Sequence, residues 1–389
     1  MLYSLPPVGQ RIEMKAGASL ADDSQLASYF DSNFPYVYFF SCGAEALAAS
    51  ILAVIETSHV KSPEVILPAY TCPEVVSAVL YAGATPILVD LVQDHTWMDL
   101  DQLASKLSDK TIAVIAINFL GIPDRIDSIR ELTNECEIKI IEDCAQAFPV
   151  DDNENFYQGD LVVHSFGRGK PVSVLGGGVV VCRDLSLIST LDRIKNSLTE
   201  KNENVKVTKL KITAYNLLIS PYCYWLPESL PFLKLGQTVF HPMEKLQLMD
   251  GFRKGLLSVN IIGYRDRSDA IQNGISKIVE QYSSSGVIDL SKHTDNSHFS
   301  RLLRYPLLFA DAQSRDAVFE VLDKQGLGAS KLYKKSLPKI QGLEQILSTQ
   351  AVFPQAESFA SRLLTLPTHT AVMDKQVEKI SLCFDKVFK

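Results

Sequence analysis

From residue 40 to about 185 the chain alternates short apolar runs with stretches of mixed polarity. The runs are Glu64-Val65-Ile66-Leu67, Pro86-Ile87-Leu88-Val89, Ile112-Ala113-Val114-Ile115-Ala116-Ile117, Ile138-Lys139-Ile140-Ile141, Leu161-Val162-Val163 and Val179-Val180-Val181. Each is short and rich in aliphatic residues, as expected of strands buried on both faces. Between them, residues 74–81, 100–107 and 125–136 carry amphipathic helical patterns. Buried strands separated by helices predict an α/β fold with a mostly parallel central sheet covered on both sides. Ligands in such sheets bind beyond the carboxyl ends of the strands, where Asp90, Asn118 and Asp143 stand.

The regular pattern fades after about residue 200. Residues 201–211 are polar and basic, and an aromatic, proline-broken segment follows through His241. A long helical stretch is expected from 244 to about 282. A strand near 304–309 and helices near 315–324 and 355–364 then suggest a smaller α+β domain. The expected division is an N-terminal arm and large domain over residues 1–245 and a small C-terminal domain over 246–389.

With 389 residues, 46% of them hydrophobic and 21% charged, the chain can bury a core shared by two domains. The formal net charge of -7 offers no broad basic field, which disfavours sequence-independent binding to nucleic acid and favours a small-molecule partner. The opening MLYSLPPVGQRIEMK has no basic segment followed by an apolar run, so no secretory signal is expected. The longest apolar candidate, residues 214–233, is broken by Asn216, Pro221, Pro227, Glu228 and Pro231, short of the ~20 apolar residues that cross a bilayer. A soluble, cytoplasmic protein without a membrane span is the expectation. Seven scattered cysteines form no CxxC pair, and His59, His95, His164, His241, His293, His298 and His369 show no metal-ligand spacing, so no metal is expected.

Three segments carry candidate chemistry. The first is Ile140-Ile141-Glu142-Asp143-Cys144-Ala145-Gln146-Ala147, a buried-type strand ending in a carboxylate. A buried carboxylate is costly unless it meets a positive partner. The protonated pyridine nitrogen of pyridoxal 5′-phosphate (PLP) is such a partner, and capping of a following helix is the structural alternative. The second is His164-Ser165-Phe166-Gly167-Arg168-Gly169-Lys170-Pro171, a lysine in a glycine-flanked turn after a strand. Lysine attacks a carbonyl only when neutral, and enclosure with nearby positive charge, here Arg168, favours that state. The third is Ser41-Cys42-Gly43-Ala44-Glu45-Ala46-Leu47, a small-residue turn opening a helix, whose free amides suit a phosphate provided that Glu45 faces away.

Two lookalikes fail. Gly176-Gly177-Gly178 precedes a strand, whereas a dinucleotide fingerprint needs its glycines between strand and helix. Gly169-Lys170 is followed by Pro171 rather than Ser or Thr.

Together the segments resemble the DegT/DnrJ/StrS family of PLP-dependent sugar aminotransferases, which have the aspartate aminotransferase-like fold called fold type I. The resemblance adds Pro68-Ala69-Tyr70-Thr71, Tyr81-Ala82-Gly83-Ala84-Thr85-Pro86 running to Val89-Asp90, Gly159-Asp160, Phe353-Pro354 and Leu364-Thr365-Leu366-Pro367-Thr368-His369. It implies that Lys170 holds the cofactor as a Schiff base and carries the proton, that Asp143 pairs with the pyridine nitrogen, and that Gln146 lies near the phenolic oxygen. Ser165 would bind the phosphate with Gly43 and the backbone of Ala44 and Glu45. Three departures stand out. Cys72 occupies the position of the stacking aromatic, with Tyr70 two residues earlier. Ala44 replaces a threonine. Leu235-Gly236-Gln237-Thr238-Val239-Phe240 stands where a partner-subunit Asn-Tyr-Arg segment is usual.

The implied activity is transfer of an amino group, from glutamate by resemblance, to a keto group of a nucleotide-linked deoxysugar in surface polysaccharide or glycoconjugate biosynthesis. A homodimer is implied as well, with the aromatic segment 215–240 as contact surface. A PLP-binding scaffold with little catalysis gains weight from Ala44 and Cys72 and loses it to Lys170, Asp143 and Gln146. A PLP-dependent sugar dehydratase is disfavoured, because by resemblance such relatives carry histidine in place of the lysine.

Overall fold

The computed structural model describes residues 3–14, 23–134, 136–151, 156–230, 236–292, 301–348 and 352–389. After a short helix α1 (Asp23–Ala27), the first half builds a sheet from β1 (Val37–Phe40), β2 (Glu64–Pro68), β3 (Thr85–Val89), β4 (Thr111–Ile117), β5 (Lys139–Asp143), β6 (Leu161–Ser165) and β7 (Gly178–Cys182). The strand order is β1-β7-β6-β5-β4-β2-β3. Neighbours from β3 through β6 pair in parallel, and β7 runs antiparallel between β6 and β1. Every residue of β4 is buried, which accounts for its unbroken apolar run. The connecting helices α2 (Gly43–Ser58), α3 (Pro73–Tyr81), α4 (Leu100–Lys106), α5 (Ile126–Thr133) and α6 (Ile188–Ser197) cover the sheet.

The apolar run ahead of Ser41 forms β1, an edge strand that the sequence pattern did not single out. Its free edge is covered by the chain around Leu248: Ser41 N donates to Gln247 O at 2.9 Å and Met249 N to Phe39 O at 3.2 Å.

Past β7 the structure departs from expectation. Helices α7 (Val205–Leu218) and α8 (Trp225–Glu228) precede an extended stretch, and the long helix expected from 244 to 282 is two helices, α9 (Gly251–Arg265) and α10 (Ala270–Glu280). The Asp250 carboxylate accepts from Arg253 N at 3.0 Å and starts α9 there, and the chain breaks between Asp266 and Asp269. The second sheet is antiparallel in the order β10-β9-β8, from β8 (Ile288–Asp289), β9 (Arg304–Leu308) and β10 (Leu363–Pro367). Helices α11 (Ala312–Lys324), α12 (Pro354–Arg362) and α13 (Asp374–Phe388) accompany it. The helix expected over 355–364 thus ends at Arg362, and the motif beginning at Leu364 lies in a strand. The proposed division after residue 245 falls before α9, whose Leu256, Leu257, Ile261 and Tyr264 share an apolar cluster with Phe39, Phe148 and Phe166 of the large sheet's side.

Asp90, at the end of β3, joins the two sheets. Its Oδ2 accepts from Gln355 N (2.9 Å) and its Oδ1 from Ala356 N (2.7 Å), so it holds the first turn of α12. Asn118 is also structural, donating to Glu142 Oε1 at 2.9 Å. Of the three polar residues beyond the strands, only Asp143 is left for a ligand.

Candidate active site

Ser165 ends β6 with its hydroxyl against the first turn of α2. A Cβ added to Gly43 would stand 2.5 Å from Ser165 Cβ and 2.8 Å from its Oγ, and one added to Gly178 would stand 2.5 Å from Cys42 O. Glycine at both positions lets the helix start close down on β6 and β7. No strong side-chain hydrogen bond caps that start, and only the weakly accepting Cys42 thiol stands by the Ala44 and Glu45 amides, beside the Ser165 hydroxyl. The Glu45 carboxylate points elsewhere, accepting from Ser41 Oγ and Gln247 N, each at 2.6 Å. The repulsion it would otherwise exert on an anion is therefore avoided. Ala44 brings no hydroxyl, and the backbone and Ser165 make up this cup. Gly43→Ala should weaken PLP binding about tenfold or more, since overpacking of this kind costs ~1–3 kcal/mol. Titration of apoprotein with PLP measures it, and unchanged affinity would show that the cup is elsewhere.

Asp143 ends β5. Its Oδ1 accepts from Ala145 N at 2.8 Å, closing a turn, and no helix follows for it to cap. The other carboxylate oxygen has no hydrogen bond among the described residues. Burial raises its pKa and negative Glu74 adds to that, while the Ala145 amide and Lys170 oppose them. A cation at this carboxylate would reverse the balance. Gln146 accepts from Leu120 N through Oε1 at 3.2 Å and lines the cleft.

Lys170 lines that cleft, which has a volume of about 560 Å³. It acts electrostatically on both Asp143 and Cys72. Cys72 is the residue before α3, and burial pushes its thiol up to about 11, so it stands there as a neutral thiol. Beside it lies the Tyr333 hydroxyl, and Tyr333 also lines the cleft. Tyr70 is buried behind, its hydroxyl donating to Tyr333 O at 2.8 Å. Tyr70 thus holds the loop and offers no face to a ligand, whereas Tyr333 lines the cleft with its hydroxyl beside Cys72.

The sequence reading missed several cleft residues: Tyr215 and Tyr224 from the aromatic segment, and Arg304 and Tyr333 from the second sheet and its loops. They come from distant parts of the chain, and no local motif marks them. Gly236, Gln237 and Thr238, from the segment assigned by position to a partner subunit, line the chain's own cleft, and Leu235 lies outside the described residues. His293 and His298 also lie outside them.

The residues fit PLP. An open helix start beside a hydroxyl, in a cradle that one methyl would fill, suits its phosphate; a buried carboxylate with a free oxygen suits its ring nitrogen; a cleft lysine suits its aldehyde. Residues 21–220 and 266–384 match the DegT/DnrJ/EryC1/StrS aminotransferase family, more than four-fifths of the chain. The chain is 25% identical over 351 residues to dTDP-4-amino-4,6-dideoxy-D-glucose transaminase of Shigella dysenteriae, covering 89% of this chain and 84% of that one. It is 22% identical over 345 residues to GDP-perosamine synthase of Vibrio cholerae, covering 87% and 83%. Its fold is similar to that of PseC, an aminotransferase of Helicobacter pylori involved in the biosynthesis of pseudoaminic acid, with a TM-score of 0.71 at 16% identity over 99% of this chain and 98% of that one. The chain belongs to the DegT/DnrJ/EryC1/StrS aminotransferase family and is a PLP-dependent aminotransferase.

Proposed function

We propose that this enzyme moves an amino group from glutamate to a keto group of a nucleotide-linked deoxysugar, supplying an amino sugar for a surface polysaccharide or glycoconjugate. The observation that carries this reading is the charge of the cleft. Arg168, Lys170 and Arg304 line it and no carboxylate does among the described lining residues, in a chain whose formal net charge is -7. Such a cavity concentrates positive potential and favours anionic substrates. Tyr215 and Tyr224 give it aromatic walls fit for a sugar or a base. Two of the relatives are themselves named for nucleotide-linked sugars.

PLP supplies an electron sink for the carbon that loses or gains a proton. Lys170 Nζ takes that proton and returns it one position away, in both half-reactions. Asp143 would hold the ring nitrogen positive, Gln146 would stand near the ring's oxygen, and the α2 start with Ser165 would anchor the phosphate.

We place the enzyme in the cytoplasm, because charged nucleotide sugars do not cross a bilayer unaided. No helix among the described residues is long and apolar enough to span one. A homodimer is part of the proposal. Exposed Leu210 and Leu217 of α7 with Tyr222 and Leu226 offer apolar contact surface, and residues 231–235 of the expected contact segment lie outside the described ones.

The test incubates the holoenzyme with glutamate and a panel of nucleoside-diphosphate keto-deoxysugars, reading the nucleotide product by mass spectrometry. One sugar should gain an amine with matching release of 2-oxoglutarate. Conversion of the cofactor by glutamate with every sugar left unaminated would overturn the acceptor class.

A further inference from the structure

Residues 221–265 lie between the two stretches that match the family, so what they build on the cleft stands outside the family pattern. Tyr224, Gln237 and Thr238 line the cleft from there, and Tyr215 and Leu218 line it from α7, just before. The wall is tied down by its own chain. The Asn216 side chain donates to Ile12 O and accepts from Ile12 N, each at 2.9 Å, which fixes α7 next to Tyr215. On either side of Tyr224, Pro221 O accepts from Ser4 N and Glu228 Oε2 from Ser4 Oγ, both at 2.9 Å. Past Thr238, Phe240 N donates to Gln341 O at 3.1 Å and His241 O accepts from Ser77 Oγ at 3.0 Å. Groups held in place before a ligand arrives lose little freedom when it binds.

The polar groups of this wall are not spent on the protein. Tyr38, Tyr264 and Tyr305, buried elsewhere, donate their hydroxyls to Asp192 at 3.0 Å, to Phe148 O at 3.0 Å and to Asp289 at 2.6 Å. The half-buried Tyr215 and Tyr224 have no such partner among the described residues, and the charge that faces both is Arg168. Arg168 is exposed and lines the same cleft two residues before Lys170.

We propose that Tyr215 and Tyr224 form a nucleoside subsite for the acceptor, in the cleft of their own chain, with Arg168 on the adjoining diphosphate. This rests on the acceptor class proposed above and gives its nucleotide end named residues. A base presents a flat face to a phenol ring and polar edges to neutral donors and acceptors. The wall supplies both, through two rings, the Gln237 amide and the Thr238 hydroxyl. A guanidinium beside the rings meets the charge of a diphosphate with paired hydrogen bonds. Because the wall and Lys170 belong to one chain, this subsite takes no residue from a partner subunit. The outer side of α7, with exposed Leu210 and Leu217, stays available for contact between subunits.

The experiment titrates cofactor-loaded protein by calorimetry with UDP, dTDP and GDP, using neither donor nor sugar. Wild type should bind at least one of them. Loss of an aromatic face under a base predicts about tenfold or more weaker binding for Tyr215→Ala and Tyr224→Ala, while Tyr224→Phe keeps its ring and most of the affinity. Arg168→Ala should weaken binding as well. Affinity of the apoproteins for PLP should not change in the tyrosine variants, since the cofactor residues stand at the strand ends. Mixed dimers, purified through two different tags from chains carrying Arg168→Ala and Tyr224→Ala, should hold no site of wild-type affinity, because each cleft lacks one residue. A monomeric protein would leave Tyr224 no other cleft to serve. One wild-type site per mixed dimer would put Tyr224 in the partner subunit's cleft and overturn the assignment. Wild-type affinity in both alanine variants, no binding by wild type, or loss of PLP and nucleotide affinity together would overturn it too. Failure of the acceptor class itself shows separately, as nucleotide binding without any aminated sugar.

Discussion

Replacing Lys170 by alanine leaves a folded protein whose amino transfer is at least ~10³-fold slower, the scale on which a positioned acid-base group acts. Folding is spared because the lysine makes no hydrogen bond or ion pair among the described residues, and its neighbours Gly169 and Pro171 set the turn by backbone. Activity is lost because no other amine lines the cleft among the described residues. Arg168 is a guanidinium that cannot deprotonate, and the Cys72 thiol has its pKa raised to about 11. Steady-state release of 2-oxoglutarate from glutamate with a sugar acceptor measures the change. A rate near that of wild type would remove Lys170 from the chemistry.

Asp143→Asn should follow with a loss of about 10²–10⁴-fold, because removing one partner of a buried charge pair costs ~3–5 kcal/mol and each 1.36 kcal/mol is tenfold in rate. The amide retains a carbonyl oxygen for Ala145 N, so the turn after β5 should survive. What disappears is the negative charge that would face the ring nitrogen. Single-turnover kinetics with glutamate should show slow conversion of a cofactor that is still bound. Fast conversion would mean that the nitrogen is neutral or held by another group.

The large sheet was legible because its strands are buried on both faces and so written as continuous apolar runs. The candidate cofactor residues could be picked out for a related reason. Gly43, Asp143, Gln146, Ser165 and Lys170 all sit within a few residues of a strand end, where sheets of this kind bind ligands. Asp90 and Asn118 occupy similar positions and proved structural, one holding the start of α12 and the other bonding Glu142. Sequence alone cannot tell a strand-end carboxylate that meets a helix from one that meets a ligand. The substrate side was largely hidden. Arg304 looks like an ordinary strand residue until it is seen to line the cleft, and Tyr333 comes beside Cys72 only through the packing of the second sheet. Between α9 and α10 an apolar periodicity runs across a break that polar residues 266–269 impose, so one long helix was expected where there are two.

The account turns on a lysine that holds the cofactor and hands an amino group through it. The most direct measurement is the absorption spectrum of purified protein with PLP, before and after glutamate, for wild type and Lys170→Ala. The account predicts a band of covalently held cofactor in wild type that glutamate converts to the pyridoxamine form, and neither the band nor the cycle in the variant. A wild-type spectrum that is independent of Lys170 and unmoved by glutamate or any other amino donor would contradict it, and would favour a protein that binds PLP without using it.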